Sequence, residues 1–338
     1  SLTKQTQIFV DTMPVLKVIG LGGGGSNTIN RMIEFGLSGV EYIAGNTDSQ
    51  ALRSNLASTQ IQLGPELTRG LGAGGNPEIG EAAAVESYAE IKEAVKGADM
   101  VFLTAGMGGG TGTGAIPVVA QAAREVGAVT VSIVTMPFSF GIGSRQQNAQ
   151  KGINQLRPYS DTLITIPNDR LLAVAPKNMP LEMAFQLADD VLRQGIQGIT
   201  ELITTPGLIN VDFAHIRNIF KSGGGSILTI GYGQGVGKTM QAIQGALHHP
   251  LLDSFSLNGA TAIIANFTGG SDLTFLEVAD ALTFLQESTS NQADIIPGVI
   301  QDNRMEDRVQ VILVITGLGG TPIDKVESHK PKKEVEFV

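Results

Sequence analysis

Residues 106–114 carry the residue types best suited to binding a charged ligand. Six of these nine residues are glycine, and Thr111 and Thr113 add two hydroxyl groups. An apolar run, residues 100–105, precedes them, and a helical pattern, residues 115–126, follows. Glycine lets the backbone come close to a ligand, and unpaired N–H groups at a helix start attract anions. The stretch therefore predicts a phosphate-binding loop rather than a structural turn, because each glycine costs roughly 0.5–1 kcal/mol of chain entropy.

Two further glycine loops bear on the kind of ligand. Gly20, Gly22 and Gly25 have the spacing of a dinucleotide-binding loop, and Asp48 follows at a distance suited to a ribose-binding carboxylate. Alone, this pattern favours an NAD-dependent oxidoreductase. The glycine loop at residues 106–114 changes the balance, because a dinucleotide fold uses one such loop and this chain has three, the third at residues 70–77. Three loops at successive strand ends suit a polyphosphate that is held from several sides.

Residues 232–239 come close to the P-loop pattern, and they follow a predicted strand and precede a predicted helix. However, Tyr232 stands where that pattern requires glycine. No acidic strand end that could complete such a site is evident nearby. The prediction here is an ordinary strand-to-helix turn.

The composition excludes several classes of function. The chain has 338 residues with 23 basic and 32 acidic side chains, and its net charge of −9 argues against a general nucleic-acid surface. It has no cysteine, and its four histidines lack metal-ligand spacing, so no metal site of its own is predicted. No apolar run reaches transmembrane length and no secretory leader is visible. We expect a soluble, intracellular α/β protein without direct membrane insertion.

Short apolar segments alternate with helical segments in the first half of the chain. This alternation predicts a doubly wound parallel sheet, in which ligands bind at the carboxyl ends of the strands. The predicted strands are residues 15–19, 40–44, 100–105, 129–135 and 162–166, and the predicted helices are residues 28–35, 79–95 and 115–126.

A long helix is predicted to join this domain to a smaller one. Apolar residues recur at helical spacing from Pro180 to Thr204, and Pro206 and Gly207 stop the pattern. Beyond it, strands at residues 226–231, 261–267 and 309–316 and helices near 238–247 and 273–286 predict an α+β domain. The predicted boundaries are 1–176 for the nucleotide domain, 177–206 for the connecting helix, 207–321 for the second domain and 322–338 for a disordered charged tail.

The order of several short motifs resembles the tubulin/FtsZ family of GTPases, and FtsZ more closely than eukaryotic tubulin. The strongest is Gly-Gly-Gly-Thr-Gly-Thr-Gly at residues 108–114, which is similar to the GTP-binding motif of the family. The similarity extends from about residue 15 to residue 320. The other matching segments are residues 22–27, 46–48, 70–77, 137–140, 167–169, 210–214 and 314–317.

The resemblance implies a tubulin/FtsZ-like α/β fold that binds GTP or GDP, with Mg²⁺ accompanying the nucleotide. Phe185 would stack on guanine, and Asp189 would accept hydrogen bonds from its two adjacent donors, which adenine lacks. Without the resemblance, their i, i+4 spacing favours an ordinary helix face. The residues that it assigns to the nucleotide are Gly22, Gly23, Gly24, Asn27, Asn46, Gly72, Ala73, Gly74, Gly106, Gly108, Gly109, Gly110, Thr111, Gly112, Thr113, Pro137, Arg145, Asn168, Phe185 and Asp189.

The resemblance also implies head-to-tail filaments in which two subunits share each active site. Asn210 and Asp212 of one subunit would meet the GTP held by the next, so hydrolysis would be coupled to assembly. Such a contact is heterologous and propagates instead of closing a dimer. The expected partners are further copies of the chain, a paralogue and membrane-tethering division proteins, with no nucleic acid. The expected location is the cytoplasm, at the division site.

Two positions depart from the FtsZ pattern. His215 stands where the family usually has a second catalytic aspartate, and it lacks the fixed negative charge that orients water and favours a cation. A neutral imidazole can still accept a proton from water. Gly141 stands where a glutamate normally contacts the ribose, which predicts a nucleotide affinity weaker by about 0.5–1.5 kcal/mol for a neutral hydrogen bond and somewhat more for a charged one.

The catalytic candidates are therefore Asn210, Asp212 and His215, and we expect filaments with slow GTP turnover. A tolerated His215, with Asp212 doing most of the work, is an equal alternative. A second alternative is a hydrolysis-poor GTP-binding scaffold that copolymerises with a paralogue. A dinucleotide-dependent oxidoreductase is the distant third.

Overall fold

The computed structural model describes residues 13–140, 143–172, 177–204, 211–221, 225–252 and 257–317. Several predictions lie outside these residues: those for Asn210 and Gly141, the helix stop at Pro206 and Gly207, and the tail at 322–338. The predicted domain boundaries remain predictions.

One continuous sheet organises the described part of the chain. Its strands are β1 (Leu16–Leu21), β2 (Val40–Asn46), β3 (Thr59–Gln62), β4 (Met100–Gly106), β5 (Val129–Met136), β6 (Thr162–Pro167), β7 (Gly225–Gln234), β8 (Ala262–Gly269), β9 (Asp294–Gln301) and β10 (Arg308–Thr316). They lie in the order β3-β2-β1-β4-β5-β6-β7-β10-β8-β9. Strands β1 to β7 run parallel, whereas β10 is antiparallel to both β7 and β8. The predicted parallel sheet followed by a smaller α+β part is confirmed.

Helices cover both faces of this sheet. They are α1 (Gly22–Glu34), α2 (Ser49–Arg53), α3 (Pro65–Thr68), α4 (Pro77–Glu86), α5 (Tyr88–Val95), α6 (Thr111–Glu125), α7 (Arg145–Leu156), α8 (Asn168–Leu172), α9 (Leu181–Thr204), α10 (Phe213–Lys221), α11 (Lys238–Leu247) and α12 (Phe275–Ser288). Alternate residues of β1 face opposite sides: Val18 packs in the core with α1 and α9, and Ile19 packs in the core with α4 and α6. No described helix combines the length and apolarity needed to cross a lipid bilayer.

The predicted long helix is confirmed as α9, whose 24 residues span roughly 36 Å at 1.5 Å per residue. Two other helix starts were wrong. The segments 28–35 and 115–126 were predicted as helices behind glycine loops, but α1 begins at Gly22 and α6 at Thr111. The glycines form the first turns of both helices because close packing requires them. A Cβ on Gly25 would lie 2.6 Å from the carbonyl oxygen of Thr104.

Three further elements differ from the prediction. The helix predicted at residues 79–95 is two helices, because Ser87 ends α4 and its hydroxyl accepts a 3.0 Å hydrogen bond from the Gly64 N–H. Helix α3 separates β3 from the glycine loop at residues 70–77, so this loop does not directly follow a strand. Strands β3 and β9 were missed. Strand β9 is at the sheet edge and contains Pro297, which is tolerated there because an edge strand leaves N–H groups unpaired.

The P-loop-like segment contains a buried lysine with a structural role. Nζ of Lys238 lies 3.1 Å from Glu277 Oε1 and 3.5 Å from Asp272 Oδ2, and the side chain is only 8% exposed. Burial lowers the pKa of Lys238, but the hydrogen bond and charge of Glu277, with those of Asp272, raise it above its ordinary value overall. This lysine therefore joins the β7–α11 turn to the start of α12.

Replacing Lys238 with alanine is expected to lower the free energy of unfolding by about 2 kcal/mol, because two partly buried carboxylates lose their shared cation. Urea denaturation measures this loss. The control is Lys92→Ala, which removes the half-exposed ion pair between Lys92 Nζ and Glu125 Oε2, 3.4 Å apart. This change should lower the free energy of unfolding by less than about 0.5 kcal/mol. Loss of nucleotide binding in a folded Lys238→Ala protein would instead favour the P-loop reading.

Candidate functional site

A cavity of about 620 Å³ lies at the carboxyl ends of β1, β4, β5 and β6. This volume is in the range of pockets that hold small-molecule ligands. The predicted nucleotide residues that line it are Gly22, Gly23, Gly24, Ala73, Gly106, Gly109, Gly110, Thr111, Gly112, Pro137, Arg145, Asn168, Phe185 and Asp189. Parallel strand direction thus brings together segments that are more than a hundred residues apart in the chain.

The amino termini of α1 and α6 meet at this cavity. A Cβ on Gly22 would come within 2.9 Å of the Gly112 backbone nitrogen, and Gly22 also has a positive φ of 68°. No described side chain caps either helix start, and neither first turn contains an acidic residue. The first N–H groups of both helices are therefore available, and the two helix dipoles favour an anion between them.

Six predicted nucleotide residues do not line the cavity. Thr113 is buried, and its Oγ1 accepts a 2.8 Å hydrogen bond from Gly108 N, which fixes the glycine loop. Asn46 is buried, and its Oδ1 accepts from Asp48 N at 3.3 Å. Gly72 and Gly74 have positive φ with open space where a Cβ would be. Gly108 receives the Thr113 contact described above, and the Asn27 side chain is hydrogen-bonded to Asp189.

Thr111 and Thr47 form a hydroxyl pair beside the cavity, with 2.5 Å between their Oγ1 atoms. Thr47 is fully buried and follows β2, so it holds Thr111 at the start of α6. Asp48, the residue expected to bind a ribose in the oxidoreductase alternative, caps α2 instead. Its Oδ1 accepts hydrogen bonds from Gln50 N at 2.9 Å and Ala51 N at 3.2 Å.

An aromatic cluster forms the wall opposite the glycines. The Phe138 ring is buried, stacks on Phe140 at 5.0 Å and meets the Phe185 ring edge-on at 5.5 Å. Asp169 Oδ1 accepts a 2.9 Å hydrogen bond from Ser139 N, which ties this loop to the end of β6. Phe185 is 47% exposed and is therefore a surface on which a flat ring can stack.

The Asp189 carboxylate lines the cavity and has a raised pKa. Burial raises its pKa to about 6, against the opposing effects of the Arg31 charge and a hydrogen bond from Asn27. Nearby, Asn168 Oδ1 is buried without a hydrogen-bond partner among the described residues. Buried acceptors of this kind are normally satisfied, and the Asp189 carboxylate, which lines the cavity, accepts hydrogen bonds when it is ionised. Glycine amides, an aromatic face and these acceptors together fit a guanine nucleotide.

Sequence reasoning missed several residues of the cavity wall. Leu181 and Ala188 could have been found from their i−4 and i+3 spacing to Phe185 on α9. Phe138 and Phe140 lie in a motif that was recognised, but no pattern marked their side chains as part of the wall. The remaining members are Leu21, Gly75, Met107 and Thr135.

The two described catalytic candidates, Asp212 and His215, lie far from the cavity. His215 Nε2 is 2.7 Å from Asp294 Oδ2, and Asp294 begins β9. The sheet register runs from Ile164 in β6 through Ser226, Thr316 and Ala262 to Asp294, so Asp294 lies level with the amino-terminal half of β6. The cavity lies at the opposite edge. Asn168 follows Ile164 by four residues, roughly 13 Å along β6, and the four strand spacings from β6 to β9 add roughly 19 Å across the sheet.

A second cavity of about 670 Å³ lies between α9 and strands β8 to β10. Charged and amide side chains line much of it, among them Arg193, Glu201, Asn266 and Arg304. It has no convergence of helix amino termini. Among the described residues, no group of three or more His, Asp or Glu could hold a metal ion in either cavity.

Comparisons with known proteins agree with this geometry. Residues 15–176 match the model of the tubulin/FtsZ family GTPase domain, and residues 224–319 match that of the FtsZ family C-terminal domain. The chain is similar to an empty FtsZ dimer from M. jannaschii, with 44% identity over 90% of this chain and 89% of that chain and a TM-score of 0.87. The GTPγS-bound protofilament structure of CetZ2 from Haloferax volcanii shares the fold at 20% identity, covering 93% of this chain and 96% of that chain with a TM-score of 0.76.

Replacing Asp189 with asparagine is expected to stabilise the ligand-free protein above about pH 6. A carboxyl whose folded pKa is raised to about 6 binds more protons in the native state, so it costs stability as pH rises from about 4 to 6. The variant should gain on the order of 2 kcal/mol at about pH 7.5 and much less at about pH 4.5. Urea denaturation at both pH values measures this, and Glu182→Gln, at an exposed site on α9, is the control. An equal gain at both pH values would contradict the prediction.

Proposed function

The chain belongs to the tubulin/FtsZ family and is a GTPase, and we propose that it assembles head to tail into filaments with one GTP between consecutive subunits. The glycine cavity of one subunit holds the nucleotide. Asn210 and Asp212 of the next subunit reach its γ-phosphate. The main support for this proposal is that the cavity lies at the carboxyl ends of the parallel strands, whereas Asp212 lies on the side of their amino ends.

The separation favours a filament for a geometric reason. Two functional surfaces at opposite edges of a subunit can meet only between copies in the same orientation. Such a contact is heterologous, so it repeats along a line instead of closing a symmetric dimer. Exposed apolar side chains at the cavity rim, Phe140 and Leu181, suit a face that another subunit covers.

Within the cavity, we assign the phosphates to the amino termini of α1 and α6 and to the loops at residues 72–74 and 108–113. Thr111 adds a hydroxyl donor and Arg145 a positive charge at the same end. Phe185 stacks on the guanine ring, and Asp189 accepts its N1–H and exocyclic NH₂, which adenine cannot supply. Mg²⁺ would be held mainly by the phosphates, as it commonly is in nucleotide sites, and would offset their charge.

Two further parts of the proposal concern the rate of GTP turnover and the cellular role of the filaments. His215 provides no fixed negative charge beside Asp212, so we propose slow turnover and long-lived filaments. The 44% identity to an FtsZ supports a role in the division ring at a cytoplasmic site, which imaging of a labelled chain in dividing cells tests. A paralogue and membrane-tethering division proteins are the partners that this role requires.

Mixing two inactive variants tests the shared active site. Asp212→Ala should bind GTP without hydrolysing it, and Asp189→Asn should fail to bind guanine. Where a GTP-bound Asp212→Ala subunit meets the Asp212 of an Asp189→Asn neighbour, a complete site forms. An equal mixture should therefore recover up to roughly a quarter of wild-type phosphate release. No recovery in mixed filaments that pellet normally would contradict the shared site.

Restoring a carboxylate at position 215 tests the slow-turnover proposal. Asp294 lies so close that His215→Asp alone would set two carboxylates side by side. The double variant His215→Asp with Asp294→Asn avoids this repulsion and should raise phosphate release per polymerised subunit severalfold. An unchanged or lower rate would count against the proposal. Wild-type filaments with undetectable release would favour the alternative of a scaffold that needs an active paralogue.

A further inference from the structure

The His215 side chain contacts a carboxylate at the amino-terminal end of β9. Its Nε2 lies 2.7 Å from Asp294 Oδ2, and both side chains are about half exposed. The two residues are 79 positions apart in sequence, on α10 and β9. Among the described residues, Asp294 is the one side chain hydrogen-bonded to the imidazole.

This hydrogen bond determines which ring nitrogen carries the fixed proton. An ionised carboxylate only accepts hydrogen bonds, so Nε2 of His215 must be the donor. In the neutral ring, Nδ1 is then the acceptor. The same division of roles holds the imidazole of a serine protease in its active tautomer, where an aspartate takes one N–H and the other nitrogen handles the proton.

We infer that Asp294 is a positioning residue for GTP hydrolysis: it orients His215 so that Nδ1 accepts a proton from the water that attacks the GTP of the neighbouring subunit. The inference rests on the proposed function, because that GTP lies outside the chain that contributes the pair. It explains how a chain with histidine in place of the second aspartate retains a group able to act on water.

The chemical step balances without a further reactant. The water oxygen forms a bond to the γ-phosphorus while the bond from that phosphorus to the β–γ bridging oxygen breaks, and its electron pair stays with GDP. One water proton moves to Nδ1 of His215 and then to solvent. Asp294 keeps its charge and stabilises the imidazolium that forms.

A purely structural role for the pair is the competing explanation. Half-exposed ion pairs contribute about 0–1 kcal/mol to stability, and β9 is an edge strand already paired with β8 along its whole length. The pair therefore adds little to a fold that the sheet already holds, whereas it determines that Nε2 is the ring nitrogen that donates to Asp294.

The test measures phosphate release per pelleted subunit with GTP and Mg²⁺, using the full chain well above its assembly threshold. Asp294→Asn should lower release about tenfold, because the amide can donate to Nε2 and move the ring proton onto Nδ1. Asp294→Glu keeps an acceptor and should retain most activity. The matched control is Asp302→Asn, which removes the ion pair of partly buried Asp302 with exposed Arg304 just beyond the other end of β9 and should leave release unchanged.

Two further measurements separate positioning from structure. In a His215→Ala background, Asp294→Asn should cause no further loss, and added imidazole should restore part of the release. Imidazole should not rescue Asp212→Ala. Unchanged release in Asp294→Asn, an equal loss in the His215→Ala background, or a loss explained by fewer pelleted filaments would each overturn the inference. A wild-type chain that fails to pellet with GTP would instead overturn the proposed function.

Discussion

The common direction of seven strands is the constraint on which this molecule depends. Strands β1 to β7 run parallel, so every loop that follows one of them emerges at the same edge of the sheet. Glycine loops, the 137–140 segment and Asn168 converge there without any long-range signal in the sequence. The same constraint sends the start of each strand, and the residues packed there, to the other edge. Helix α9 runs from the first edge, at Leu181, toward the second.

The polar side chains at the two edges differ in burial: those at the cavity are more buried than those at the opposite edge. At the cavity, burial holds the pKa of Asp189 above its ordinary value, and Asn168 Oδ1 has no hydrogen-bond partner among the described residues. At the opposite edge, Asp212 and His215 are more exposed: Asp212 Oδ1 accepts a local hydrogen bond from Ala214 N at 3.0 Å, and His215 Nε2 bonds to the distant Asp294. The cavity side of the sheet therefore suits ligand binding, and the opposite side suits contact with another subunit.

Sequence patterns predicted most of the architecture. The predictions failed where tertiary packing, rather than local sequence preference, decides where a helix starts or what a side chain contacts. Periodicity located α9 because a long amphipathic helix carries many matching positions. It failed at the start of α1, since the contact of Gly25 with Thr104 is tertiary and leaves only glycines in the sequence. It also missed Phe138, because a buried aromatic that supports Phe185 looks like any core residue. The pairing of His215 with Asp294 joins distant segments, and no local pattern could reveal it.

The close fit at the glycine helix starts has a consequence for how the site can be probed. Gly22 and Gly110 would carry a Cβ only 2.9 and 2.8 Å from backbone nitrogens of neighbouring segments, so even one added methyl group displaces the main chain. An alanine scan usually works by deleting atoms, but at these positions it inserts them. A harmful alanine here would report crowding of the backbone rather than the loss of a contact with the nucleotide.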